Sequence, residues 1–171
     1  MRRHPVAGST LVELLIYIAI VAILVFAIVD ILFAVFDLKL KLRAMSEVRQ
    51  GGHIAMERIR LAVQNASSIA VPSSGTSTGI LTLVMPTTST NPTTFSVEDG
   101  VLLLKEGTSP TTTLTLEGGQ VVYAVFQDMT ATGTPGTVRV ILYVSSTAED
   151  GPSVFDVGEV YRTTENVRRR P

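Results

Sequence analysis

The chain contains no cysteine, so neither a disulfide framework nor a thiolate metal site is open to it. Histidine is nearly as scarce. His4 and His53 are the only two, no second ligand type clusters with either, and a metal centre has no support. His53 reads as a solvated or partly packed helix residue. No glycine-rich phosphate loop opens a helix, which removes the common nucleotide-binding signature. A net charge of -1 provides no basic excess, so nucleic acid is not expected as a main partner. Lysine all but vanishes from the second half: between Val71 and Pro171 there are 20 threonines and a single lysine, Lys105. The adjacent acids Glu98-Asp99 and Glu149-Asp150 read as turn residues rather than as a catalytic pair. No catalytic residue, no enzyme activity and no cofactor are expected.

Proline and glycine are missing from Leu14 to Phe36, where the one charge in 23 residues is Asp30. That length spans a bilayer with some tilt. It exceeds the apolar core of about 7–15 residues of a cleaved secretory signal, and no small-x-small site ends it. Asp30 follows Glu13 by 17 positions, or about 26 Å along a helix axis, so each acid can reach an opposite interface. Ile31 to Phe36 would then stand out as an apolar collar, buried against other helices or absorbed by tilt. Asp30 is read as a packing or interface residue.

Ahead of that run, Ala7-Gly8-Ser9-Thr10-Leu11-Val12-Glu13-Leu14-Leu15-Ile16 sets one acid shortly after a glycine, at the start of the apolar segment. A charge at membrane depth costs about 2.5–3.5 kcal/mol, so an acid there is a functional hypothesis by default. The stretch resembles the class III signal of type IV prepilins and type II secretion pseudopilins. By that resemblance Arg2, Arg3 and His4 form a basic leader, Gly8 is its last residue and Ser9 begins the mature chain, with Glu13 fifth. The family usually has Phe or Met where Ser9 stands. The resemblance implies cleavage between Gly8 and Ser9 by a prepilin peptidase, N-methylation of Ser9, and pairing of Glu13 with the amino terminus of an adjacent subunit. Elementary chemistry supplies a reason: cleavage turns an uncharged amide into an amine with a pKa near ~8, and in a helix that amine and Glu13 share a face. The plainer reading of Glu13 is an interfacial acid tolerated in an ordinary signal anchor.

Counting basic residues does not settle orientation. Arg2 and Arg3 precede the span, whereas Lys39, Lys41, Arg43 and Arg49 follow it, and the count does not favour an inside amino terminus. The resemblance implies a cytoplasmic leader, a single pass through the cytoplasmic (inner) membrane and an extracytoplasmic carboxy-terminal domain.

Beyond the span, apolar or small residues recur at Leu38, Leu42, Met45, Val48, Gly52, Ala55, Ile59, Ala62 and Ala66, the stripe of an amphipathic helix. The helix is expected to stop near Ser67, ahead of Pro72. Gly51-Gly52 interrupts it at about 2 kcal/mol relative to two alanines; close packing explains the pair better than a hinge. Past Pro72 the pattern predicts strands at 80–85, 94–97, 101–105, 112–117, 121–128, 138–144 and 159–163. Asp99-Gly100 marks a hairpin turn, and 87–93 and 132–136 read as loops. A helix followed by a run of strands is an α+β layout in which a stem helix covers an antiparallel β-sheet, the layout of pilins. The expected division is a leader over 1–8, a transmembrane and assembly helix over 9–36, an amphipathic stem over 37–70 and a Thr-rich β domain over 71–171.

Met56 to Ala66, the Asp99-Gly100 hairpin and the Val138-Arg139-Val140 strand look like minor pseudopilins of the J type and related minor pilins. Some pseudopilins bind calcium in late loops, which makes a calcium role for Glu149, Asp150 and Asp156 conceivable, but the spacing of these oxygen ligands is not diagnostic of it; Arg168-Arg169-Arg170 reads as a solvated tail. The leading functional reading is a non-catalytic minor pilin or pseudopilin that assembles through its helix into a pilus, secretion pseudopilus or DNA-uptake filament. Its partners would be membrane lipid, the prepilin peptidase, other pilin subunits and an assembly platform. The alternative is a permanently anchored membrane protein whose β domain binds a ligand or the cell envelope.

Overall fold

The computed structural model describes residues 10–114, 119–146 and 157–168. The chain divides into two compact units at Leu40/Lys41. Both are threaded by one helix, α1, Leu11–Asn65. In the first unit α1 is apolar all round: Leu14, Ile18, Phe26, Phe33 and their neighbours are exposed, and none of the apolar window is buried within the chain. A helix with no polar face is stable only in apolar surroundings, and this one is long and apolar enough to cross a membrane.

In the second unit one face of α1 is buried through Val48, Gly51, Gly52, Ala55, Ile59 and Val63. The expected stripe is found from Val48 onward, with Val63 added to it, while Leu38 and Leu42 are exposed. The helix ends at Asn65, and strand β1, Ser68–Val71, takes up the last three residues of the segment 37–70 that was expected as stem. Sheet pairing explains the earlier stop, because Ser67 N–H donates to Val84 O at 2.7 Å and Ser68 faces Val84 across the ladder. The β-branched Ile69 and Val71 suit a strand better than a helix end.

The strands that follow are β2 Ser77–Thr78, β3 Leu81–Val84, β4 Thr93–Glu98, β5 Val101–Glu106, β6 Thr112–Thr113, β7 Gly119–Asp128, β8 Thr137–Ser146 and β9 Gly158–Asn166. They form two antiparallel sheets rather than one, in orders β1-β3-β4-β5-β6 and β2-β7-β8-β9. Two-residue β2 was not expected, and of the expected strand over 112–117 only β6 is found among the described residues. The Asp99-Gly100 turn is as predicted: both residues have positive φ, 49° and 76°, the backbone a tight hairpin requires. The loop after Val84 contains a short 3-10 helix, Thr88–Thr90, and Thr93 Oγ1 donates to Thr90 O at 2.8 Å as β4 begins. A single core joins the layers: Ile59 and Val63 of α1, Leu81, Leu83, Phe95 and Leu102 of the first sheet, and Phe126, Val138, Val140 and Leu142 of the second are all fully buried. This is an α+β, pilin-like architecture, one long amino-terminal helix followed by antiparallel sheets.

Candidate functional site

Two groups of side chains stand out, one in each unit. The first is the start of α1. Thr10 precedes the helix and accepts from Glu13, whose N–H lies 3.4 Å from Thr10 Oγ1 and 3.0 Å from Thr10 O. Thr-x-x-Glu is the spacing of a capping box, with Thr at the N-cap and the acid three residues on. Glu13 therefore sits in the first turn, where the helix dipole favours a negative charge. Tyr17 Oη donates to Glu13 Oε1 at 3.3 Å, an i,i+4 contact on the exposed helix surface. The structure thus offers a carboxylate at the head of an apolar helix: the backbone N–H of Glu13 is tied to Thr10, and its carboxylate accepts from a phenol. Gly8 and Ser9, the expected processing and methylation positions, lie outside the described residues, so their geometry with Glu13 is not part of this arrangement. Neither the cap nor Tyr17 figured in the sequence reading, although the Thr-x-x-Glu spacing and the four-residue step to Tyr17 were both legible. Asp30 is exposed about a third of the way along α1, among exposed apolar neighbours.

The second group clamps the stem. β9 turns Glu159, Tyr161, Thr163 and Glu165 toward α1. A Cβ placed on Gly52 would overlap the Tyr161 ring, so the glycine is there for close packing, as expected. The Tyr161 hydroxyl has Glu159 Oε2 at 3.2 Å, Arg49 O at 3.3 Å and Val48 O at 3.4 Å as acceptors for its one proton. Arg49 pairs with Glu159 at 3.4 Å. Burial first, and then the neighbouring Glu159 charge, push the Tyr161 phenol up to about 12. His53 meets the same ring edge-on, centroids 5.5 Å apart, and is a packing residue. Farther along, Gln64 Nε2 donates to Glu165 at 3.2 Å. On the outer face of α1, Arg60 forms a two-pronged pair with Glu57, and that hydrogen bond holds the Glu57 carboxyl below its ordinary range.

Among the described residues no group of three or more His, Cys, Asp or Glu side chains could hold a metal. Glu149, Asp150 and Asp156 lie outside them. A cleft of about 670 Å³ at the end of α1 is lined in part by Ser68, Pro72, Asp128, Thr134 and Arg168. Its buried acid, Asp128, is occupied in fixing a turn, accepting from Thr130 N–H at 2.7 Å.

Residues 3–29 match the family model described as the prokaryotic N-terminal methylation motif. No curated protein and no solved structure gives a significant match. The motif covers Gly8, Ser9 and Glu13 and most of the apolar run, and the proteins that carry it are typically non-catalytic structural subunits. With this prepilin-type motif at the head of a membrane-length helix, and antiparallel sheets behind it, the chain is consistent with a type IV pilin-like protein.

Proposed function

We propose that the chain is a non-catalytic filament subunit, a minor pilin or pseudopilin, that is cut between Gly8 and Ser9 and assembled through α1. The observation that carries this is the coincidence of the methylation motif with the one acid of the first turn, Glu13, at the head of a helix whose apolar surface is exposed in the isolated chain. Before assembly that surface resides in lipid. Afterwards it packs against sister helices, which exclude water equally well, so extraction from the membrane need not expose it. Cleavage supplies a protonated amine that Glu13 of a neighbouring subunit accepts, an ion pair worth far more in apolar surroundings than in water. The Tyr17 hydroxyl holds the carboxylate until that amine arrives. In this reading Ser9 is the methylated residue, the stem and sheets lie outside the cytoplasmic membrane, and the peptidase, fellow pilin subunits and an assembly platform are the partners.

The test is the intact mass and amino-terminal sequence of the protein from membranes with and without the prepilin peptidase, alongside Glu13→Ala. Expected are a chain beginning at Ser9 only when the peptidase is present, and a Glu13→Ala variant that inserts normally but is absent from sheared filaments. A chain still beginning at Met1 in peptidase-positive cells, or a Glu13→Ala variant found in filaments at the parental level, overturns the reading in favour of a permanent anchor.

A further inference from the structure

The face of the second sheet turned away from α1 has an unusual charge distribution. Arg139 of β8 pairs across the ladder with Thr164 of β9, and Arg162 of β9 pairs with Ile141 of β8. The two guanidinium groups therefore hold diagonal positions on neighbouring strands and one face, about 7–8 Å apart at their backbones, where like charges cost stability. Both are exposed. The carboxylates of β9 cannot relieve them, because Glu159 and Glu165 lie on the opposite face and are engaged with Arg49 and Gln64. Among the described residues the ion pairs are Arg43–Glu47, Arg49–Glu159 and Arg60–Glu57, and none involves Arg139 or Arg162. Beside the arginines the same face carries a stacked tyrosine pair, Tyr123 and Tyr143, with centroids 5.5 Å apart, and Val160 is 42% exposed next to it. Arginine and tyrosine around a small apolar patch is the composition of interface hot spots.

The complementary charge is found on the first sheet. Glu98 ends β4 and Asp99 opens the turn to β5, both exposed, and none of those ion pairs involves either residue. The turn is anchored on the start of β7, where Gly100 O accepts from Val121 N–H at 2.7 Å, and this fixes the position of the two exposed carboxylates. The depression of about 340 Å³ lined by Arg139, Ile141, Arg162, Thr163 and Thr164 is a shallow recess on the basic face. We propose that the Glu98-Asp99 turn of one copy of this chain docks on the Arg139–Arg162 face of another. The two patches differ, so the contact is head-to-tail: each copy keeps one patch of each kind free, and the association propagates instead of closing as a two-fold dimer. The inference deepens the filament reading and rests on it for its biological setting, while the contact itself requires neither cleavage nor a filament.

The absence of native cysteine permits a direct test on the full chain in detergent micelles. One preparation carries Glu98→Cys, a second of different tag mass carries Arg162→Cys, and the two are mixed and oxidised mildly with copper–phenanthroline. The expected product is the mixed disulfide dimer, enriched about fivefold over either homodimer, an enrichment that corresponds to a modest electrostatic preference. It should fall to the statistical level on Arg139→Glu, survive Arg139→Lys, weaken on Asp99→Asn and weaken as ionic strength rises, because exposed charges are screened. A statistical mixture of dimers in the starting pair, or an enrichment unmoved by Arg139→Glu and by salt, overturns the proposal. Near-UV circular dichroism confirms that each variant is folded. Because uncut chain serves equally well, failure here is distinct from failure of the amino-terminal mass test.

Discussion

Gly52 provides the sharpest test of how the stem is held. In an open helix interior, replacing glycine by alanine stabilises by about 1 kcal/mol, since glycine has more backbone entropy to lose. Here the added methyl would overlap the Tyr161 ring. Relief requires the ring to swing away, which costs about 1–3 kcal/mol as overpacking and about 1 kcal/mol more for the hydroxyl's contact with Val48 O, Arg49 O or Glu159. The helix gain offsets only part of this, so Gly52→Ala should destabilise the second unit by about 1–3 kcal/mol, a fall in melting temperature of roughly 3–10 °C. The sign should reverse when the ring is absent: in a Tyr161→Ala background Gly52→Ala should stabilise by about 1 kcal/mol, a coupling of about 2–4 kcal/mol between the two sites. Thermal unfolding of the full chain in micelles, followed through the near-UV signal of its tyrosines, measures all four corners of the cycle. A rise in melting temperature for Gly52→Ala alone, or the same shift in both backgrounds, would refute ring packing as the reason for this glycine.

The raised Tyr161 phenol predicts a pH dependence of definite sign. Its proton is held more tightly in the folded state, up to about 12, than in the unfolded chain near ~10; the associated stability is complete below about pH 10 and is lost as pH rises toward 12. Melting temperature measured across that window should fall more steeply for the parent than for Tyr161→Phe, and parallel curves would contradict the assignment. Phe95 is fully buried where the two sheets meet the helix, so Phe95→Ala should cost about 3–5 kcal/mol in denaturant unfolding, and a loss under about 1 kcal/mol would mean that the sheets do not share one core. These sit beside the amino-terminal mass, the Glu13→Ala incorporation assay and the mixed-disulfide experiment.

Much of this protein was decided by residue pattern. An apolar run of 23 residues with one charge and no proline or glycine reads as a helix in apolar surroundings, and Gly8 with Glu13 at its head carries the prepilin-type signature by local spacing alone. Asp99-Gly100 specified its turn because both positions need positive φ, and Thr10-Leu11-Val12-Glu13 wrote the cap into four adjacent residues. Such features depend on near neighbours, and near neighbours are what a sequence displays. Tertiary structure decided the rest. It ended α1 at Asn65 because Val84, far along the chain, offered a partner to Ser67; it split the strands into two sheets, since strand order is a matter of long-range pairing that alternation does not encode. It also gave Gly52 its purpose through a tyrosine more than a hundred residues away, and set Arg139 beside Arg162, neither of them in an ion pair among the described residues. Each of these depends on which distant segments meet, and that is settled by the burial of one shared core rather than by the pattern of any single segment.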